Sequence, residues 1–314
     1  MEKTTGKIDP QYLAALRLIL EQLSDRMENW AVTGSLGMAL QGVPVEVHDI
    51  DLQSDRSGAY LMGKALSAYC VEPVREVQSE KMWSHLGRFE IQGVKVDVIG
   101  DIRKKGADGW DEPVALNHVR RYVHLEGNTW VPVLSLAYEA EAYARMGRAE
   151  KAELLRRWID QHPEDRPEAI TNFIEISPEL STGGQPLPEQ IAALGQHGFT
   201  AVISLARTDL PISLREQGEL VRAAGMEYVS IPVVWTDPRR EDLERFYAAM
   251  DARRGQKVFV HCVMNFRVSS FVYLYRVNRM GVPVAEARRD LLKGWKPDER
   301  WGRFIEENTS PRPS

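Results

Sequence analysis

A chain of 314 residues with 43% hydrophobic and 27% charged residues has the length for two domains, each with its own core, and a globular composition. No apolar run reaches membrane-spanning length, residues 1–7 lack the apolar core of a signal peptide, and no membrane partner is expected. Only two cysteines occur, Cys70 and Cys262, which argues against a disulfide framework and points to reduced thiols in the cytoplasm. The net charge of −5 gives no global nucleic-acid footprint, while leaving a local basic patch open.

In chain order, Leu13, Leu16, Leu18, Ile19, Leu20 and Leu23 predict an amphipathic helix over residues 9–27, started by Asp9-Pro10. Residues 30–32 read as a strand entering a glycine-rich turn, 32–37, with a short helix over 38–42. A second strand, 47–52, presents Asp49 and Asp51; residues two apart on a strand share a face, so both carboxylates can converge. A helix follows over 59–69. The segment 82–91 leads into strand 94–99, which carries Asp97 as a polar interruption. His85 and Arg88 are candidates for contact with a nucleotide or an acceptor phosphate, with a surface turn equally open. Residues 103–109 read as a polar loop, 120–125 and 129–133 as a hairpin, and 134–159 as one helix. Its basic face, Arg145, Arg148, Lys151, Arg156 and Arg157, reads as solvated surface, or alternatively as a groove for a phosphorylated acceptor.

Two like charges on one face repel unless a cation sits between them, and the usual guest is a hard divalent ion held by oxygens. Three carboxylates beside a Gly-Ser turn suit a metal–triphosphate site. The order Gly34-Ser35, then Asp49-x-Asp51, then strand Asp97 resembles the nucleotidyltransferase superfamily over about residues 28–103. The resemblance implies Mg²⁺ held by Asp49, Asp51 and Asp97, with Asp97 also catalytic, and a nucleoside triphosphate held through Gly34 and Ser35. It names no acceptor and no base preference.

A polar, proline-bracketed linker at 161–167 divides the chain into expected domains 1–162 and 168–314. The second half alternates strands (173–176, 200–205, 228–233, 257–260) with helices (188–197, 214–224, 239–253), which predicts a parallel α/β sheet; residues 180–186 read as a loop. The last strand runs into His261-Cys262, with a helix over 271–280. A cysteine between a strand end and a helix N-terminus sits where backbone amides and the helix dipole favour an anion and a thiolate. On that ground Cys262 is expected to alkylate faster than Cys70. Arg267 can grip a phosphate with two parallel hydrogen bonds, and Asp237 offers a carboxylate able to protonate a leaving oxygen.

This half resembles the cysteine-dependent, dual-specificity-like phosphatases over about residues 170–310, the early loop Ser181-Thr182-Gly183-Gly184-Gln185-Pro186 included. The resemblance implies Cys262 as nucleophile forming a phosphocysteine, Arg267 as phosphate clamp and Asp237 as general acid, with Ser269 or Ser270 helping the thiolate leave. The family signature has five residues between Cys and Arg; here Val263, Met264, Asn265 and Phe266 make four, and bulky Met264 and Phe266 replace small residues. The C-terminal cations Arg276, Arg279, Arg288, Arg289, Lys293, Lys296 and Arg300 are candidates to receive an anionic substrate.

The fold expectation is a two-domain α/β chain: an α+β nucleotidyltransferase-like domain with a mixed sheet, then a parallel-rich sheet flanked by helices. The functional expectation is a bifunctional enzyme acting on a triphosphate and on a phosphorylated RNA end, small molecule or protein, with no obligate protein partner. Alternatives make the second half a phosphate-recognition module, or the first half a nucleotide sensor.

Overall fold

Residues 8–23, 29–106, 109–125, 129–163, 165–207, 209 and 214–309 are described by the computed structural model, which separates into unit 1, residues 1–163, and unit 2, residues 164–314. Among the described residues no helix is long and apolar enough to cross a membrane.

Unit 1 begins with α1 (Pro10–Leu23), which buries Ala15, Leu16, Ile19 and Leu23. Residues 24–27 of the expected helix lie outside the described residues, as do residues 1–7, 107–108 and 164. Strand β1 (Trp30–Thr33) feeds α2 (Gly34–Leu40) directly, so the expected glycine turn is in fact the first turn of the helix. Strand β2 (Ile50–Ser54) starts three residues later than expected. Then come α3 (Arg56–Ala65), β3 (Cys70–Gln78), β4 (Met82–Ile91), β5 (Val94–Gly106), β6 (Gly109–Trp110), β7 (Arg120–His124) and β8 (Trp130–Leu134). The sequence pattern missed β3, whose Pro73 and alternating charges disguise an exposed sheet edge. Residues 103–106, expected in a loop, extend β5, because Lys105 and Gly106 pair with Trp110 and Gly109.

The sheet runs β3-β4-β5-β2-β1-β8-β7, with β6 on β5; β2–β5 and β1–β8 are parallel and the other pairs antiparallel. Ile50, Leu52, Val96 and Val98 point into one core with α1 and with Ala59 and Met62 of α3. Strand alternation therefore turns Asp51 and Asp97 to the opposite face. The helix expected over 134–159 is two: α4 (Leu136–Arg145), capped by Ser135, and α5 (Ala149–Gln161). Gly147 divides them at φ +73, a conformation no helix interior accepts.

Unit 2 contains β9 (Ile174–Ser177), β10 (Leu180–Gly183), α6 (Pro188–Gln196), β11 (Ala201–Ser204), α7 (Gln217–Ala223), β12 (Glu227–Ser230), α8 (Arg240–Asp251), β13 (Val258–His261), α9 (Phe266–Asn278), α10 (Val284–Gly294) and α11 (Glu299–Asn308). The order is β12-β11-β13-β10-β9, parallel except for edge strand β9. Both faces are covered: Ala201, Ile203, Val258 and Val260 join a core with α8, α9 and α11, while Val202 and Phe259 pack against Ile191, Leu194 and Val221. Burying each such side chain contributes roughly 1.5–3 kcal/mol, so these four-residue strands need no intrinsic stability. Two expectations change here. Residues 180–183 are a central strand rather than loop, and α9 starts at Phe266, five residues early, placing Arg267 in its first turn.

Candidate functional site

In unit 1 the cross-strand register sets the site. Thr33 lies opposite Asp51, Asp51 beside Asp97, Asp97 opposite Arg88, and Arg88 opposite Glu72. One row of polar side chains thus crosses five strands on the face away from α1 and α3. Asp49 falls in the coil ahead of β2, so its convergence with Asp51 does not come from strand alternation as the sequence pattern implied. Burial pushes the Asp51 carboxyl up to about 7, with Asp49, Asp97 and Glu139 adding to the rise. Asp97 is also raised, by burial first, against the pull of Arg88.

Gly34 makes the close approach feasible. It holds φ +68, and a Cβ there would strike the Asp51 carboxylate. Its amide, expected to face phosphate, donates instead to Glu139 Oε1 at 3.0 Å, and Thr33 Oγ1 donates to the same oxygen. Ser35 is buried, with its Oγ 3.5 Å from the His48 amide. Glu139 is 4% exposed, and burial is the first cause that raises its carboxyl. The sequence reading missed it, yet a signal exists: Glu139 sits within the apolar stripe Leu136, Ala140, Tyr143 of α4. Lys151 of α5 and Lys104 of β5 bring positive charge toward Glu139, and burial lowers the Lys104 ammonium. Of the two β4 candidates, His85 is buried against Tyr60, and Arg88 pairs with Glu72 at 2.9 Å.

Among the described residues, no group of three or more His, Cys, Asp or Glu is disposed as a ready metal cage. The three aspartates form an anionic field whose members repel. Burial first, with that field adding to it, raises the Asp51 carboxyl; a hard cation would relieve the repulsion part, and the oxygen donors suit magnesium in kind.

In unit 2, Cys262 follows β13 at the carboxyl ends of three parallel strands, β10, β11 and β13. Cys262 is 1% exposed, whereas Cys70 is the exposed thiol. Alkylation by bulky reagents should follow access, the reverse of the sequence expectation. His261 is fully buried, and burial lowers its imidazole to about 4. Neutral, it donates Nδ1–H to the Cys262 carbonyl at 3.2 Å. Arg267 donates Nη1 to the Leu205 and Val233 carbonyls at 3.1 and 2.8 Å, which ties down the residues after β11 and β12. Among the described residues its Nε and Nη2 make no hydrogen bond.

Asp237 is exposed and pairs with Arg239 at 2.6 Å. Its loop is anchored by Trp235, whose carbonyl accepts from Trp301 Nε1 and whose ring lies 6.2 Å from Phe266. Ser269 and Ser270 donate back to the Asn265 and Phe266 carbonyls, 2.7 and 3.3 Å. Arg276 is not a substrate contact: it is buried and paired with Asp290 and Glu286.

Two family models match the chain. One, described as aminoglycoside-2''-adenylyltransferase, covers residues 15–156, and the other, described as DSP-PTPase phosphatase fused to NAD+ kinase, covers residues 166–296. No curated protein matches. Among solved structures, a candidate nucleotidyltransferase of Thermotoga maritima is 50% identical, spanning 49% of this chain and 96% of its own, with a TM-score of 0.44. A candidate phosphatase of Shewanella putrefaciens CN-32 is 34% identical over 46% of this chain and 95% of its own, with a TM-score of 0.42. TpbA of P. aeruginosa is 20% identical over 44% and 84%, with a TM-score of 0.37. The chain consists of an N-terminal nucleotidyltransferase-like domain followed by a C-terminal domain similar to the DSP-PTPase phosphatases.

Proposed function

We propose that this is a bifunctional enzyme, transferring a nucleotidyl group from a triphosphate in residues 1–162 and hydrolysing a phosphoester through Cys262 in residues 168–314. The observation that carries the reading is Cys262 at the carboxyl ends of parallel strands, with Arg267 in the first turn of α9, its Nε and Nη2 uncommitted among the described residues. In the hydrolytic half, the Cys262 thiolate attacks phosphorus, the S–P bond forms and the ester P–O bond breaks. Asp237 gives its proton to the leaving oxygen, which requires release from Arg239. Arg267 and the amides of the α9 first turn hold the phosphoryl oxygens. Water then cleaves the S–P bond, releasing phosphate and the thiolate.

In the transferase half, Asp49, Asp51 and Asp97 would hold magnesium, which when bound supplies charge neutralisation for the triphosphate. With the Gly34 amide committed to Glu139, Ser35 and the rest of the α2 first turn are left to meet the phosphates. Asp97, whose carboxyl burial raises, would take a proton from the acceptor hydroxyl. The substrates are a nucleoside triphosphate and a phosphorylated RNA end, small molecule or protein.

A second reading makes the C-terminal half a phosphate-recognition module. It is favoured by the 1% exposure of Cys262, the exposed ion-paired Asp237 and the commitment of Arg267 Nη1 to two carbonyls. Hydrolysis of an aryl phosphate by wild type and Cys262→Ser, with EDTA present, separates the two. Turnover lost in the variant supports the enzyme; no turnover in either, with tungstate still bound, supports the module.

A further inference from the structure

The loop between Cys262 and Arg267 is one residue shorter than its family signature, and its shape is held by a contact from outside. Asn265, wholly buried, adopts φ +69, a left-handed conformation uncommon for any residue but glycine. Its Nδ2 donates to the Asn172 carbonyl at 2.9 Å and to Thr182 Oγ1 at 3.0 Å. Asn172 is left-handed too, at φ +50, and returns the contact: its Nδ2 donates to the Met264 carbonyl at 3.0 Å and the Gly294 carbonyl at 2.8 Å. Each asparagine thus binds the backbone of the other's segment.

Neighbouring bonds share the load. The Gln185 amide donates to the Val263 carbonyl at 3.1 Å, and Gly184 bridges Met264. A Cβ on Gly184 would come within 2.7 Å of the Val263 carbonyl oxygen, so glycine is needed for the approach. With its Val263 and Met264 carbonyls held by these partners, the loop backbone is fixed directly ahead of the α9 N-terminus, whose first-turn amides can meet an anion.

We propose that Asn265 and Asn172 form a reciprocal clasp that positions the shortened Cys262–Arg267 loop for a tetrahedral oxyanion. Asn265 is a positioning residue, acting through the loop backbone and not on the phosphoryl group. The inference rests on the phosphate-site reading of unit 2 and adds what makes a four-residue loop competent. A left-handed backbone at two asparagines persists where the surroundings over-determine it. Here four side-chain hydrogen bonds do so.

The test is tungstate binding to the full chain, followed by calorimetry, in wild type, Asn265→Gly, Asn172→Gly and the double variant. Glycine keeps the left-handed backbone and removes only the clasp, and melting curves confirm that each variant is folded at the assay temperature. Each single variant should lose roughly tenfold in tungstate affinity, the worth of one or two hydrogen bonds. The double variant should lose no more than either, because the two residues make one device. Wild-type affinity in a folded single variant, or losses that multiply in the double, would overturn the clasp. Absence of tungstate binding in the wild type would bring down the phosphate site itself, and the clasp with it. If Asn265→Gly does not fold, Asn172→Gly decides alone.

Discussion

In the N-terminal half Asp51 and Asp97 stand in a polar row across five strands, placed by backbone register, with Asp49 in the coil just ahead of β2. In the C-terminal half the candidate groups sit after β12 (Asp237), after β13 (Cys262) and in the first turn of α9 (Arg267), held by side chains that bond other segments' carbonyls. The first arrangement is electrostatically unfinished: burial, with the neighbouring carboxylates adding to it, raises the Asp51 carboxyl to about 7 in spite of Lys151. The second is sterically finished, with the Arg267, Asn265 and Asn172 bonds already made. A sheet fixes positions cheaply but cannot relieve like charges, whereas a loop can relieve strain only by spending polar groups on itself.

Breaking each centre separately gives the largest expected effects. Cys262→Ser should reduce aryl phosphate hydrolysis by about 10³-fold or more, since a serine hydroxyl is far from ionised near neutral pH, while leaving nucleotide transfer intact. Asp49→Asn with Asp51→Asn should cut label transfer from a radiolabelled triphosphate by roughly 10²–10³-fold and spare hydrolysis in EDTA. Loss of both activities from either set would show the halves to be coupled.

Gly34→Ala sharpens the point about register. The methyl group meets the Asp51 carboxylate at a left-handed φ of +68. The strain should cost about 1–3 kcal/mol, read as a lower denaturation midpoint, with a larger loss in transfer than in hydrolysis.

The pH dependence of stability tests the unfinished charge. The folded Asp51 carboxyl lies near 7, against 3.8 unfolded, so the folded state binds this proton more tightly. Its contribution is full below 3.8 and is lost as pH rises through about 7. In metal-free buffer at about pH 8, Asp51→Asn should therefore be more stable than wild type, by roughly 1–3 kcal/mol, and the gain should vanish near pH 4. A flat difference across that range would remove the claim that burial and the neighbouring carboxylates raise the Asp51 carboxyl. The smallest effect is expected at Arg239→Ala: the exposed pair with Asp237 should leave the unfolding midpoint unmoved while freeing the carboxyl for hydrolysis, read as a higher kcat.

Sequence periodicity determined much of this protein. The alternation that exposes Asp51 and Asp97 between apolar neighbours, the run of buried strands in the second half and the Cys262–Arg267 pairing are all short-range patterns, set by the two-residue strand repeat and the chemistry of each side chain. Helix ends were harder to read: α9 starts at Phe266 because left-handed Asn265 caps it, and α4 stops at Arg145 because Gly147 turns the chain. Only the tertiary structure decided the rest. Glu139 reaches the Gly34 amide across 105 residues, Asn172 grips Met264 across 92, and Arg267 ties two strand ends. Such contacts depend on which distant backbone groups packing brings within about 3 Å, and no local pattern encodes that distance.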